Sequence, residues 1–223
     1  MRTSRKLAAS LVAALVVCLA AVAGPASAQG PAVPEVQLNG HLYPKPFGLA
    51  YVYGHYRLPD WQPQEQAAGQ PVTLYAAVFP YTAWQAVGSS TTDWKGYFSF
   101  PTKVLANTAF HAVVGGSQPL QSEDLVIHVP VRVSLESDHT KARKGKRITF
   151  TGETFPPHPG LTAYLQKMDS RGKFRDVTHS ALSPTGSFRA RLKLERSGVF
   201  RLRVPRDADH IGGVSRAVTI TVN

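Results

Sequence analysis

From Ser187 to Leu194 the chain reads SFRARLKL, in which Phe188, Ala190, Leu192 and Leu194 alternate with Arg189, Arg191 and Lys193. Strict alternation marks a strand with one buried and one wet face, because successive side chains point to opposite sides of the pleat. The same pattern runs through RITFTG (147–152), LTAYLQ (161–166), FRDV (174–177), VFRLRV (199–204) and AVTITV (217–222), all rich in β-branched and aromatic residues. Turn residues separate these runs, and helical periodicity is nearly absent. TDWKG and SPTG place Asp or Pro early and Gly at the end of a tight turn, which predicts hairpin connections.

The pattern occurs twice. VYGHYRLP (52–59) matches FTGETFPP (150–157), and TDWKGYFSF (92–100) matches SPTGSFRARL (183–192), with Gly96 on Gly186 and Phe98 on Phe188. Phe110 and Phe200 each lie 14 residues beyond that glycine, and SEDLVIHV (122–129) matches SRAVTITV (215–222). About seven strands per copy, at this turn spacing, predict an antiparallel sandwich. Only Pro130 separates the copies, a short join that should limit rotation between them.

The glycines Gly54 and Gly152 in the first predicted strand of each copy, the GxF turns at Gly96 and Gly186, the VFRLRV strand and the closing SRAVTITV carry a resemblance. The chain resembles the bacterial immunoglobulin-like β-sandwich domains of secreted and surface-exposed actinobacterial proteins. The antibody-type cysteine pair is missing, so that subfamily is excluded. The resemblance implies adhesion, spacing or ligand binding rather than catalysis. The expected fold is all-β: two tandem antiparallel immunoglobulin-like β-sandwich domains after a cleaved signal peptide. The expected boundaries are 1–28 for the signal peptide, 29–32 for a flexible tip, 33–130 for an aromatic-rich first domain and 131–223 for a basic second domain.

The leader follows from Arg2, Arg5 and Lys6 before an apolar run from Leu7 to Ala23 and an ASA cleavage pattern at 26–28. The only cysteine, Cys18, lies inside it. The mature chain is therefore expected to be secreted, extracellular or cell-surface associated, free of disulfides and without a membrane span. Of the whole chain's net charge of +11, the segment 29–130 carries four basic and six acidic residues, and 131–223 carries 18 basic and eight acidic. All three tryptophans and seven of eight tyrosines lie in the first segment.

Motifs for catalysis are missing from the mature sequence: there is no GxSxG elbow, HExxH, phosphate-cradling glycine loop or thiol. The chain is read as a non-enzyme with no cofactor. DADH (207–210) and SDH (137–139) lack the dense alternating series of a calcium loop and are read as polar turns, so no metal ligand is assigned.

Two surfaces are candidates for binding. Arg189, Arg191 and Lys193, with Arg201, Arg203, Arg171, Lys173 and Arg175, are expected to merge into one cationic field, serving as a solvated face or as an anion-binding face. Asp176 and Glu195 could relieve its repulsion. Trp61 sits in a loop that makes the first copy longer, since 42 residues separate Gly54 from Gly96 and 34 separate Gly152 from Gly186. It is read either as a contact aromatic or as a ring packed on the sandwich. The expected partners are an anionic cell-wall polymer or another extracellular protein, with no specific nucleic acid because stacking aromatics and cations lie in different halves. The alternatives are a secreted hydrolase with its site in the first-domain loops, or a carbohydrate-binding module using Trp61.

Overall fold

The computed structural model describes residues 33–43 and 47–223; the expected signal peptide and N-terminal tip lie outside the described residues. In the first half the strands are β1 (Glu35–Leu42), β2 (Leu49–Arg57), β3 (Pro71–Val78), β4 (Gln85–Thr91), β5 (Tyr97–Lys103), β6 (Thr108–Val114), β7 (Leu120–Gln121) and β8 (Leu125–Ile127), with a 3-10 turn over Gln64–Ala67. The second half has β9 (Arg132–Val133), β10 (Glu136–Ser137), β11 (Lys141–Ala142), β12 (Arg147–Phe155), β13 (Thr162–Met168), β14 (Phe174–Ala181), β15 (Ser187–Lys193), β16 (Gly198–Val204), β17 (Gly213–Val214) and β18 (Val218–Val222).

Each half closes two sheets over its own core. In the first, β1-β2-β5 faces β4-β3-β6, with β7 and β8 on the free edge of β6. In the second, β10-β12-β15, with β9 on β12, faces β11-β18-β16-β13-β14, with β17 on β16. Among the described residues the strands pair antiparallel except where β11 runs parallel to β18, and an isolated parallel bridge joins Pro130 to Ile211. Strands one, two and five on one sheet against three, four, six and the last on the other is the Greek-key order of the immunoglobulin fold, so both halves are immunoglobulin-like sandwiches. The cores are separate clusters: Val52, Leu74, Phe98, Phe100 and Phe110 anchor the first, and Ile148, Phe150, Leu165, Phe188 and Phe200 the second.

The alternation in the sequence is the alternation in space. On β15 Phe188 is buried and Ala190 and Leu192 half-buried, while Arg189, Arg191 and Lys193 are exposed. The repeat extends to side-chain detail. Gly54 opposes Phe98 and Gly152 opposes Phe188 across the β2–β5 and β12–β15 ladders. Both β3 and β13 carry a register shift against their hairpin partners, at Leu74/Tyr75 and Leu165/Gln166.

Two expectations are corrected. Gly54 and Gly152 do not lie in the first strand of their sandwiches, because β1 and the short β9–β11 segments precede them. TDWKG and SPTG are tight turns, closed by hydrogen bonds from Asp93 N to Tyr97 O and from Ser183 N to Ser187 O, with Gly96 and Gly186 at φ 83° and 77°. They are not hairpins: β4 and β5, like β14 and β15, belong to opposite sheets. The turn chemistry is local, and it serves a crossover as well as it serves a hairpin.

Candidate functional site

The cationic field divides in two, because β15 and β16 lie in opposite sheets. Arg189, Arg191 and Lys193 project from the β12–β15 ladder, where Lys193 pairs with Arg147, Arg191 with Thr149 and Arg189 with Thr151. Lys193 Nζ is 3.0 Å from Glu195. Among the described residues no ion pair involves Arg189 or Arg191, so this face keeps an unneutralised arginine pair flanked by Arg147 and Lys193.

Arg201 and Arg203 are half-buried on the other sheet. The Arg201 Nε–H donates to Gln166 Oε1 (2.8 Å), whose amide donates to Asp176 Oδ1 (2.7 Å), and Asp176 Oδ2 lies 3.4 Å from Arg203. Each guanidinium also covers a ring, Arg201 over Phe174 at 4.0 Å and Arg203 over Tyr164 at 4.5 Å. These two arginines are therefore part of a packed network and do not join the exposed row. Of the remaining three, Arg175 pairs with Asp169 at 3.3 Å, and Arg171 and Lys173 are exposed on the turn closed by that carboxylate.

Trp61 is 74% exposed and Trp94 73%, so neither packs on the sandwich; Trp84 instead lies half-buried against His111, ring centroids 4.2 Å apart. Trp94 and Asp60, the neighbour of Trp61, line one surface depression with His55, Arg57 and Tyr97. This end continues into the outward face of β1-β2-β5. There His55 stacks on Tyr97 at 4.2 Å, and Tyr53, Tyr51, His41 and Tyr43 form a chain of ring contacts 5.0 to 6.4 Å apart. Period-two placement in AYVYGHY and GYFSF puts these rings on one side of the sheet. Trp61 is legible in the sequence as a loop aromatic; the row behind it is not, because its rings come from β1 and the residue that follows it, from β2 and from β5, which lie in separate stretches of the chain.

A third constellation lies where the sandwiches meet. The loop after β16 folds back through hydrogen bonds from Val131 N to Ile211 O and from Ile211 N to Val129 O, and Asn107 N in the first sandwich donates to Asp209 O (2.7 Å). His210 on this loop reaches Leu105 O with Nε2 (2.6 Å). Its Nδ1 faces His158 Nε2 at 3.2 Å and Asp209 Oδ1 at 3.1 Å, and His158 Nε2 is 3.1 Å from Asp207 Oδ2. Both imidazoles are buried, with 7% and 5% of their side chains exposed. Burial alone would raise the Asp209 carboxyl, but its contact with the His210 ring outweighs this and holds the group below its ordinary value. DADH is thus more than a polar turn: the fold adds His158, 52 residues away, to it.

No known protein family and no curated protein matches the chain. Among solved structures, the tetra-tandem repeat in the extending region of a large adhesion protein is 11% identical with a TM-score of 0.36, over 84% of this chain and 49% of that one. The D0–D1 domain of intimin is 15% identical with a TM-score of 0.31, over 78% of this chain and 90% of that one. The chain spans about half the length of the first. The fold assignment rests on the strand order itself. Among the described residues no helix is long and apolar enough to cross a membrane.

Proposed function

We propose that the protein is a secreted, non-catalytic binding and spacer module of two immunoglobulin-like domains, divided between residues 33–130 and 131–223, whose first domain holds a surface glycan. The aromatic row on β1-β2-β5, ending in exposed Trp61 and Trp94, is the observation that carries this reading. Rings gathered on one sheet face and partly open to water are costly to leave unpartnered and match the C–H faces of pyranose rings, while Tyr hydroxyls and imidazoles serve sugar hydroxyls. The first half carries few cations, which favours a neutral polysaccharide over a polyanion as its ligand. Retention of the chain on insoluble cell-wall polysaccharide tests this: Trp61→Ala with Trp94→Ala, and Tyr53→Ala, should each elute early. Unchanged retention of these variants overturns the aromatic site. Release of reducing sugar by the wild-type chain would instead establish the hydrolase.

A second contact is supported by the unpaired Arg189 and Arg191 beside Arg147 and Lys193. This face suits an anionic wall polymer, and its binding should weaken as salt rises. The two surfaces belong to different sandwiches and serve different ligands.

A further inference from the structure

The four side chains at the join share a feature that a hydrogen-bonded turn does not explain. A carbonyl oxygen only accepts, so the His158 Nδ1 facing Pro156 O at 2.6 Å and the His210 Nε2 facing Leu105 O at 2.6 Å are the nitrogens that carry hydrogen in the neutral rings. The opposite nitrogens, His158 Nε2 and His210 Nδ1, then present lone pairs to each other at 3.2 Å. Carboxylate oxygens of Asp207 and Asp209 converge on the same point, and all four ligand atoms lie within 4.8 Å of one another. With both rings neutral the four side chains offer one another only acceptors, so either an added proton on a ring or a cation must sit between them.

Size and second-shell arrangement agree. Ligands about 2.0 to 2.1 Å from a tetrahedral zinc stand about 3.3 Å apart; four contacts within the cluster measure 3.1 to 3.7 Å, and one ligand atom from each residue lies within 4.8 Å of the others. Imidazoles bound to metal commonly donate their other N–H to a backbone carbonyl, as both do here. Two imidazoles exclude a calcium-type site, which takes oxygen ligands. One of the supporting carbonyls, Leu105 O, belongs to the first sandwich, so the site bridges both halves.

We propose that His158, Asp207, Asp209 and His210 bind one divalent transition-metal ion of the zinc class, and that the ion fixes the loop joining the two sandwiches. The site goes beyond the glycan-binding reading and is independent of the aromatic surface. The test is metal uptake by the untagged chain after dialysis against Zn2+. One equivalent should bind, and Co2+ in its place should give the intense visible absorption of tetrahedral coordination. His158→Gln and Asp209→Asn, checked for unchanged circular dichroism, should bind about 100-fold more weakly or worse; Asp209 is half-exposed, so its variant keeps the test open if His158→Gln fails to fold. Zinc should also slow hydrogen exchange at the Asn107 and Ile211 amides. No zinc uptake, undiminished uptake by Asp209→Asn, or a preference for Ca2+ overturns the site. Uptake with unchanged exchange at those amides overturns its role at the join.

Discussion

Gly152 on β12 stands directly opposite Phe188 on β15, and the pair is repeated in the first sandwich as Gly54 and Phe98. A Cβ at Gly152 would lie 2.6 Å from Ser134 O and 2.7 Å from Leu202 Cδ2, and one at Gly54 would lie 2.5 Å from Gln37 O. The glycine therefore lets the preceding segment and the opposite sheet close on the core, with no left-handed backbone involved. Gly152→Ala should destabilise by about 1–3 kcal/mol, the usual range for overpacking a tight core. Chemical denaturation measures it, and a loss below the scatter of surface substitutions would mean that the strands separate freely here.

Ser215 and Ser122 hold equivalent places. Each accepts a backbone N–H with its hydroxyl, from Leu202 (2.9 Å) and Ala112 (3.0 Å), while its own N–H donates to the carbonyl of that residue. The hydroxyl takes the place of a ladder partner where the chain leaves the short strand β17, or β7, before the last strand begins. Ser215→Ala should strand a buried donor and cost about 1–3 kcal/mol, whereas Ser215→Thr should retain most of the bond. Thermal unfolding of the two variants separates the hydrogen bond from packing.

These motifs show where the sequence was readable. SEDLVIHV and SRAVTITV were matched on type and spacing, and the match holds down to the two hydroxyls. Period two shows which residues face out, as at Arg189 and Arg191, but not from which sheet, because a tight turn at SPTG reads the same in a hairpin and a crossover. Arg201 and Arg203 accordingly share the period of Arg189 and Arg191 and yet stand on the other sheet. The two-residue strands β9, β10 and β11 are too short for any periodicity. His158 follows FPP at the end of β12, far from DADH in sequence; the placement of β12–β13 and β16–β17 loops at one end of an immunoglobulin sandwich is the signal that could have connected them.

The second sandwich has its own core cluster and complete strand set, so residues 131–223 should fold alone. The isolated fragment loses the Leu105 carbonyl and Asn107 amide that brace its 205–212 loop. A cooperative melt with faster exchange confined to that loop is the expected outcome, measured by calorimetry and hydrogen exchange. A disordered fragment would mean that the halves fold as one unit.

Asp169 caps the β13–β14 turn. Hydrogen bonds from the Lys173 and Arg171 amides and the Arg175 guanidinium hold its carboxyl below the ordinary value despite some desolvation. A carboxyl lowered on folding stabilises fully above its unfolded value, about 3.9, and loses that contribution as pH falls through its lower folded value. Asp169→Asn should therefore be less stable than the wild type at neutral pH, and the two should converge in strong acid. A difference that persists unchanged to the lowest pH would show that the turn depends on shape and not on charge.

The division of the basic residues makes a sharper prediction. Arg189 and Arg191 stand on an exposed face whose register is fixed by buried Phe188 and Leu194, so changing both to Gln should alter stability by no more than about 0.5 kcal/mol. Retention on an anionic resin should nevertheless fall, and the elution salt should drop. Arg201→Gln removes a donor to Gln166 and the cation over Phe174, each worth about 1 kcal/mol at a half-buried site, and should destabilise by about 1–2 kcal/mol. Its effect on retention should be small, because the charge is already engaged beside Asp176. If Arg189→Gln/Arg191→Gln eluted with the wild type, the row on β15 would serve solvation alone, and the anion-binding face would be withdrawn.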